Sequence, residues 1–383
     1  MTWNPKLSSA TARFEHMARE AASDPDVITL GAGLPAEETL PSAELSQAFA
    51  RVMSSPKLAS EALQYGWPEG AAPLREYIAH RLAARGATVE PDEVIVTSGA
   101  QQALALIVSA LKPLLPSSKL QINVGERSYA GALELFRAHG FACVVEPAPV
   151  VYAMPALANP GGERGLGPSP SPSSQPGTWF LEDDAYADLS FDGRTPRSWL
   201  AINRCSVFHV GTLSKTVCPG LRVGWVVPPP ALARSMLHLK READIQTAGL
   251  GQSTALAFLQ ANDFDERLAR LRTFYATRAD ALMSALRTHL PSWRFVEPEG
   301  GFSLWAEPDV PLQEAGFVAA CLEAGVSLDP GSACRPVSPG QEHTIAPGLR
   351  LCFSSQSERR LQAGTRRLAR AYARLAASVV KPA

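Results

Sequence analysis

Lysine is scarce in this sequence of 383 residues: only seven of the 36 basic residues are lysine, and the other 29 are arginine. A chain that uses arginine as its ordinary surface cation leaves few lysines to explain as solubilising residues. Lys215 stands between Ser214 and Thr216 in the uncharged stretch GTLSKTVCPGL, with no acid nearby in the sequence to pair with it. This setting makes Lys215 a candidate functional amine.

Other features are absent as well. The six cysteines are scattered, form no CxxC pair and have no metal-ligand spacing, which argues against disulfides and a bound metal and favours a reducing compartment. The net charge of −1 comes with interspersed signs, so there is no basic stripe for nucleic acid. The N-terminus lacks a signal-peptide core, and no apolar run of about 18 residues occurs. We therefore expect a cytoplasmic protein without a membrane partner, which binds small molecules or a second copy of itself.

The apolar runs predict an α/β fold. Short β-branched or aromatic runs alternate with helical segments such as QQALALIVSAL, which predicts a mostly parallel sheet covered by helices on both faces. The strand candidates, in chain order, are EVIVT, LQINV, FACVVE, VVYAM, TWFLED, SVFHVG and RVGWVV.

The length and a hydrophobic content of 46% predict two domains. We expect residues 42–285 to form the large α/β domain, and residues 1–41 with 286–383 to form a smaller α+β domain. Further expected segments are a polar helix over 8–22, a Ser- and Pro-rich surface loop over 167–177 and a long helical stretch from about 254 to 289.

The candidate chemistry centres on a carbonyl-reactive amine. Enzymes that use pyridoxal phosphate need one lysine for a Schiff base, a carboxylate for the pyridine nitrogen and a cradle for the phosphate. Asp183 ends the apolar strand TWFLED, and SGA (98–100) begins a helix whose N-terminus favours an anion. Arg222, seven residues after Lys215, can supply a guanidinium to the same phosphate.

These residues stand in motifs that resemble a known family. The chain is similar, from about residue 28 to 375, to the class I/II pyridoxal-phosphate-dependent aminotransferases of fold type I. It most resembles the branch containing aminoadipate and kynurenine aminotransferases and the catalytic half of MocR-type regulators. The matching motifs occur in family order: GAGLPAEETLP, YGWPEG, TSGAQQAL, ERSYAG, ANPGG, LEDDAY, GTLSKTVCPGLRVGW, PEGGFSLW and LRLCFS.

The resemblance implies a role for each matching position at the cofactor ring. Lys215 would hold the cofactor as a Schiff base and move the proton at the substrate α-carbon. Asp183 would pair with the pyridine nitrogen. Tyr186 and Asn159 would hydrogen-bond the phenolic oxygen, and Tyr129 would stack on the ring.

The resemblance also implies the phosphate and substrate contacts. Arg350 would clamp the substrate α-carboxylate, with Gly33 and Asn159 beside it, and the substrates would be an amino acid and a 2-oxo acid. The family is typically a homodimer with active sites at the subunit interface. The phosphate would be bound by Ser98, Gly99, Ala100, Thr212 and Arg222, and by Tyr65 of the partner subunit.

The chain departs from the family pattern in one region. Family members usually carry Asn-Pro-Thr-Gly where this chain has ANPGG, so that Gly161 replaces the threonine, and they usually carry proline where it has Arg127. The connection before this motif is shorter than usual, and the Ser- and Pro-rich loop stands in place of a helix. These changes cluster at one edge of the expected large domain.

Simpler interpretations exist for single residues. Lys215 could be an exposed turn lysine, and Arg350 one more surface cation. Asp183 could cap a helix, a role that the adjacent Asp184 would fill equally well. Tyr129 could be a core aromatic with a satisfied hydroxyl.

The function that the motifs favour is transamination in two half-reactions. A decarboxylase, a lyase or a cyclising enzyme on the same scaffold is the alternative within the same cofactor class. A non-catalytic sensor domain of the MocR kind is the third hypothesis. It is less favoured, because only about 30 residues precede the first motif, too few for a winged helix of typical size.

Overall fold

The computed structural model describes residues 24–165, 169–170, 177–336 and 348–379. These ranges contain ten α-helices. The predicted helix over 8–22 and most of the predicted loop over 167–177 lie outside them. The helices are α1 (Ser42–Ser54), α2 (Pro56–Leu63), α3 (Ala72–Ala83), α4 (Ala100–Leu111), α5 (Ala130–Ala138), α6 (Pro230–Asp244), α7 (Gly249–Ala261), α8 (Phe264–His289), α9 (Glu314–Glu323) and α10 (Glu358–Val379).

The same ranges contain twelve β-strands in three sheets. The strands are β1 (Ile28–Thr29), β2 (Ile95–Thr97), β3 (Gln121–Asn123), β4 (Ala142–Val144), β5 (Val150–Ala153), β6 (Trp179–Asp183), β7 (Val207–Thr212), β8 (Gly224–Val227), β9 (Arg294–Phe295), β10 (Ser303–Glu307), β11 (Val326–Ser327) and β12 (Leu349–Cys352).

Seven strands form the central sheet, in the order β2-β8-β7-β6-β5-β3-β4. The pairs from β7 across to β4 are all parallel, and β8 runs antiparallel to both β2 and β7. The mostly parallel sheet predicted from the apolar runs is confirmed. The carboxyl ends of parallel strands meet at one edge of the sheet, where ligands bind in folds of this class.

Helices cover both faces of this sheet, and alternate strand residues enter two separate cores. On β6, Leu181 belongs to the core beneath α4, whereas Phe180 belongs to the core beneath α3 and α7. Because side chains alternate along a strand, Asp183 projects on the side of Leu181, and Glu182 and Asp184 project on the other side. One strand therefore serves two different environments.

The long helical stretch predicted from about 254 to 289 is interrupted. The structure divides it into α7 and α8, with Asn262 and Asp263 between them. The Asn262 side chain donates to the Phe258 carbonyl at 2.8 Å, and the Asp263 carboxylate accepts the Glu266 N–H at 2.9 Å. Asparagine and aspartate side chains compete with helical backbone hydrogen bonds, so this pair ends one helix and caps the next.

Two smaller sheets involve the later part of the chain. β10 pairs with β9 and β12 in an antiparallel sheet, and β1 pairs with β11 in parallel. Residues 28–29 are thereby joined to residues 326–327. The division into a large domain at 42–285 and a small domain at 1–41 and 286–383 stays a prediction. None of the helices in the described ranges is long and apolar enough to cross a membrane.

Candidate active site

Lys215 lies just beyond the carboxyl end of β7, half-buried, with its amine against aromatic rings. Its Nζ donates to the Gly33 carbonyl at 3.3 Å and lies 5.5 Å from the ring centre of Tyr186 and 5.6 Å from that of Phe302. Burial, followed by the positive charge of Arg350, lowers the pKa of Lys215 to about 8. An amine with such a pKa is partly neutral near physiological pH, as a nucleophile must be.

Asp183 is the last residue of β6, and its side chain is buried close to Lys215. The two groups interact electrostatically, since the charge of Asp183 opposes the lowering of the lysine pKa. Tyr152 donates to one carboxylate oxygen at 2.8 Å, and the Ala185 N–H donates to the other at 3.1 Å. Burial nevertheless raises the pKa of Asp183 to about 6. The carboxylate therefore suits a cationic partner, such as a protonated ring nitrogen.

Tyr186 and Tyr129 face the same space. The Tyr186 ring packs edge-on against Phe302 with centroids 5.2 Å apart. Burial raises the pKa of both phenols to about 12, and repulsion from neighbouring anionic groups, including Asp183, adds to this for Tyr129. Both hydroxyls stay protonated at neutral pH, so each can donate a hydrogen bond.

The predicted phosphate residues converge around the N-terminus of α4. Gly99 has a φ of 85°, and a Cβ added there would overlap the guanidinium of Arg222, which donates to the Ser98 carbonyl at 2.8 Å. Arg222 itself has a left-handed φ of 53°, and such strain is common at ligand sites. The Thr212 hydroxyl lies 2.9 Å from that of Ser214. The cluster brings a guanidinium, hydroxyls and a helix N-terminus together, which is the chemistry that holds a phosphate.

Within this cluster, the donors of Ser98 and Gly99 are already used. The Ser98 N–H donates to the Gln102 side chain at 2.7 Å, and its hydroxyl donates to Asp244 at 3.2 Å. The Gly99 N–H donates to the Thr97 carbonyl at 2.8 Å. The contribution of these two residues is the shape of the turn, and the hydrogen bonds to an anion would come from the helix N–H groups that follow.

Arg350 lies on β12 and borders the same site. Its guanidinium donates to the Gly31 carbonyl at 3.2 Å and to the Ser303 hydroxyl at 3.3 Å, and lies 3.4 Å from a carboxylate oxygen of Asp329. A Cβ on Gly33 would overlap this guanidinium, so Gly33 lies directly against it. The side chain is 12% exposed, and these contacts hold its guanidinium in one position.

Asn159 and Tyr65 lie differently. Asn159 is buried in the loop after β5, where it lines a cavity of about 310 Å³ together with Tyr152 and Arg127. Tyr65 follows α2 and is 77% exposed, so its own chain does not bury it.

Sequence reasoning missed three residues that support the site. Tyr152 holds Asp183 from the adjacent parallel strand, Ser214 contacts Thr212, and Ser303 contacts Arg350. A signal was present for one of them, since Ser214 directly precedes Lys215.

Charged residues also lie on the opposite face of β6 from Asp183. His209 Nδ1 lies 3.0 Å from a carboxylate oxygen of Glu182 and 3.2 Å from one of Asp184, and Arg85 is paired with Asp184. These three carboxylate and imidazole groups have metal-ligand spacing. The guanidinium of Arg85 already supplies the positive charge that a metal would bring, so we interpret the cluster as structural.

Comparison with known proteins shows the family of the chain. The family model for aminotransferase class I and II matches residues 173–368, which is half of the chain. A 2-aminoadipate transaminase from Thermus thermophilus is 31% identical over 93% of this chain and 92% of the relative. The chain belongs to the class I and II aminotransferases.

This aminotransferase is also similar to a solved aminotransferase structure and to a transcriptional regulator. A crystal structure of an α-aminoadipate aminotransferase from T. thermophilus, complexed with N-(5'-phosphopyridoxyl)-L-leucine, has a TM-score of 0.80 and 29% identity, and covers 97% of this chain and all of that one. An uncharacterised HTH-type transcriptional regulator of Bacillus subtilis is 28% identical over 91% of this chain and 74% of its own length. The resemblance to aminotransferases and to regulators is thus confirmed.

The cofactor of this aminotransferase is pyridoxal 5'-phosphate. The residues present fit it. Lys215 is a buried amine with a lowered pKa, Asp183 is a buried carboxylate without a cationic partner among its hydrogen bonds, and Arg222 borders an anion cradle. The fold type I architecture is confirmed by the same comparisons.

Proposed function

We propose that this aminotransferase moves the amino group between an L-amino acid and a 2-oxo acid at Lys215, with Asp183 and Arg350 as its fixed charges. The observation that carries the proposal is the placement of the Lys215 amine, which lies 5.5 Å from the Tyr186 ring centre and interacts electrostatically with both Arg350 and Asp183. No other described lysine is so placed: Lys240, which is fully buried, is paired with Asp244.

Each residue has a defined task in this proposal. Bound pyridoxal phosphate supplies the electron sink that stabilises negative charge at the substrate α-carbon. Asp183, ionised above its pKa of about 6, holds a proton on the ring nitrogen. Arg350 orients the substrate through its α-carboxylate, and Lys215, once its amine is free, moves the proton at the α-carbon.

We also propose that the protein is a homodimer that acts in the cytoplasm. Large apolar side chains are exposed together around α2, which is unusual for a monomer surface. They are Leu58, Leu63, Tyr65, Trp67 and Ile245. A second copy covering them would bring Tyr65 of the partner subunit towards the phosphate cradle. In a reducing compartment the cysteines Cys143, Cys205 and Cys218, none of them fully buried, would stay free thiols.

The cofactor role of Lys215 is tested by the Lys215→Ala variant. After unbound pyridoxal phosphate has been removed, we expect wild-type protein to show a pH-dependent visible absorption band and Lys215→Ala to lack it, because a protonated Schiff base to this amine absorbs at longer wavelength than the free aldehyde. The matched control is Lys119→Ala at an exposed lysine, which should keep it. A band that survives in Lys215→Ala would refute the assignment.

Product analysis tests the reaction. A panel of L-amino acids, each supplied with a 2-oxo acid, should give a new amino acid in equal amount to the oxo acid released. Release of carbon dioxide or ammonia instead would favour a decarboxylase or a lyase. Absence of any turnover by a protein that does bind the cofactor would favour a sensor.

A further inference from the structure

An ion pair joins the loop that carries Tyr129 to the loop that carries Asn159. Arg127 Nη2 lies 3.2 Å from a carboxylate oxygen of Glu163, and the two side chains are 21% and 11% exposed. Arg127 stands two residues before Tyr129, and Glu163 stands four residues after Asn159. The pair is largely removed from water, so it constrains the two loops more than a surface ion pair would.

The Asn159 loop is a closed turn that ends at Glu163. The Ala158 N–H donates to the Glu163 carbonyl at 2.8 Å, and the Gly162 N–H donates to the Ala158 carbonyl at 2.8 Å. Gly162 has a φ of 79°, and a Cβ there would come within 2.8 Å of the carbonyls of Gly300 and Ser303. Asn159 therefore lies in a turn whose closing residue carries the carboxylate.

Glu163 occupies the space that a side chain at position 161 would need. A Cβ on Gly161 would overlap the Glu163 carboxylate, one oxygen of which is buried without a hydrogen-bond partner in the described structure. The threonine of the family pattern and this placement of Glu163 thus exclude each other. The departures from that pattern at Gly161 and Arg127 therefore depend on each other through Glu163, which fills the space beside Gly161 and pairs with Arg127.

The pair is also held from the side of the substrate clamp. Arg127 lies over the Trp305 ring, with its guanidinium carbon 5.5 Å from the ring centre, and Trp305 is the direct cross-strand neighbour of Arg350. The Ser303 hydroxyl accepts from Arg350 and donates to the Pro160 carbonyl at 2.7 Å. The turn that carries Asn159 is thereby held at Pro160 by Ser303 and at Glu163 by Arg127.

We propose that Arg127 and Glu163 are a positioning pair, which sets the Asn159 amide and the Tyr129 ring against the cofactor in place of the proline and threonine of the family pattern. The proposal rests on the proposed roles of Asn159 and Tyr129. A correctly placed Asn159 amide stabilises the ionised phenolic oxygen of the ring, because a hydrogen bond to a charged form favours that form. That oxygen is then less able to hold the neighbouring Schiff-base proton.

The test compares Arg127→Gln, Glu163→Gln and the double variant. Each single change leaves one charge buried without its partner, so we expect the dissociation constant for pyridoxal phosphate to rise on the order of tenfold. The pH midpoint of the visible band should rise by about one unit, because the Asn159 hydrogen bond is weakened. In the double variant the loss of affinity should be smaller than the sum of the two single losses.

Two designs keep the result interpretable if a single variant folds poorly. Gly161→Thr alone should reproduce the single-variant losses, and Gly161→Thr combined with Glu163→Ala and Arg127→Pro should recover wild-type affinity and midpoint. The matched control is Arg164→Gln, which breaks ion pairs to Asp192 and Glu299 from the neighbouring position. It should leave the midpoint of the band unchanged.

The outcomes separate this proposal from the proposed function. If the wild-type band depends on Lys215 but the midpoint is the same in every Arg127, Glu163 and Gly161 variant, the positioning role is refuted while the function stands. Lower thermal stability without a change of midpoint or affinity also refutes it, because the pair is then only structural. A wild-type protein without any band overturns the proposed function, and the positioning role with it.

Discussion

Burial of the Asp183 carboxylate lowers the stability of the folded protein at neutral pH. Its neighbours offer two hydrogen bonds but no positive charge within ion-pair distance in the described structure, and burial raises its pKa to about 6 from an ordinary 3.8. A raised carboxyl pKa means that the folded state binds the proton more tightly than the unfolded state. Stability is therefore lost as the pH rises from 3.8 through 6.

Replacing this residue should stabilise the cofactor-free protein. At pH 8 we expect Asp183→Asn to unfold with a free energy about 3 kcal/mol higher than wild type, since about two pKa units of penalty disappear. The gain should shrink towards pH 4, where the wild-type carboxyl is protonated. Urea unfolding of the apo protein between pH 5 and pH 8 measures it.

Activity should change in the opposite direction. With pyridoxal phosphate bound, Asp183→Asn should lose on the order of 100-fold in kcat/KM, because the ring nitrogen loses its anionic partner. For the unfolding free energy, Asp192→Asn is a control with the opposite expected sign. Hydrogen bonds from Arg164 hold the pKa of that exposed carboxyl below its usual range, so its replacement should destabilise the fold. Equal unfolding free energies for Asp183→Asn and wild type at pH 8 would contradict the argument.

Single residues were predictable where the chemistry left a local mark. Lys215 stood out because its setting was uncharged, and Asp183 because it ended an apolar strand. Tyr152 and Ser303 could not be identified in this way, because each acts through a partner more than 30 positions away, Asp183 and Arg350 respectively. Their roles follow from strand register, which a single sequence does not reveal.

At the scale of the elements, the strands were the most predictable part. A run such as TWFLED predicts a buried strand wherever it lies, and the structure has β6 at Trp179–Asp183. The helical stretch over 254–289 was harder, because the break at Asn262 and Asp263 depends on two side-chain caps rather than on glycine or proline. Apolar periodicity continues through such a break, so it is a poor guide to where one helix ends.

Arg85, just after α3, balances the acids on the rear face of β6. It pairs with Asp184 and lies 3.9 Å from Glu182, and both acids are buried. Replacing it by methionine should destabilise the fold by about 3–5 kcal/mol at pH 7, because Asp184 then keeps only His209 as a side-chain partner in the described structure, while Glu182 keeps hydrogen bonds from Ser198 and Trp199. Chemical unfolding of Arg85→Met measures the loss.

This loss should decrease as the pH falls, because protonation of Asp184, whose pKa burial already raises, removes an unpaired charge. Arg81→Met is the matched control on α3 itself. Arg81 pairs with Asp188 and Asp265, of which the latter is 79% exposed, so its removal should cost less than about 1 kcal/mol. Similar losses of unfolding free energy for the two variants would contradict the argument that Arg85 stabilises the fold by pairing with buried acids.

At the scale of the whole molecule, the exposed apolar side chains around α2 are the basis of the proposed homodimer. Leu63 is 61% and Trp67 is 76% exposed. We expect the double variant Leu63→Asp and Trp67→Asp to elute as a monomer where wild type elutes as a dimer, since charges cannot be buried unpaired at an interface. Size-exclusion chromatography with light scattering measures the mass.

Cofactor binding should weaken in the same variant, because Tyr65 of the partner subunit is no longer supplied. Leu114→Asp, at another exposed leucine (51%), is the matched control and should leave the mass unchanged. A wild-type protein that is monomeric at micromolar concentration would remove the basis for the homodimer.

The pairing of β1 with β11 sets the order in which the molecule can be completed during its synthesis. About 300 residues separate the paired positions Ile28 and Val326. At about 5–20 residues per second, the ribosome needs roughly 15 to 60 s to deliver the second strand after the first. Gly33, which contacts Lys215 and Arg350, follows β1 closely. The reactive amine therefore gains this fixed neighbour only after residues 326–327 have been synthesised.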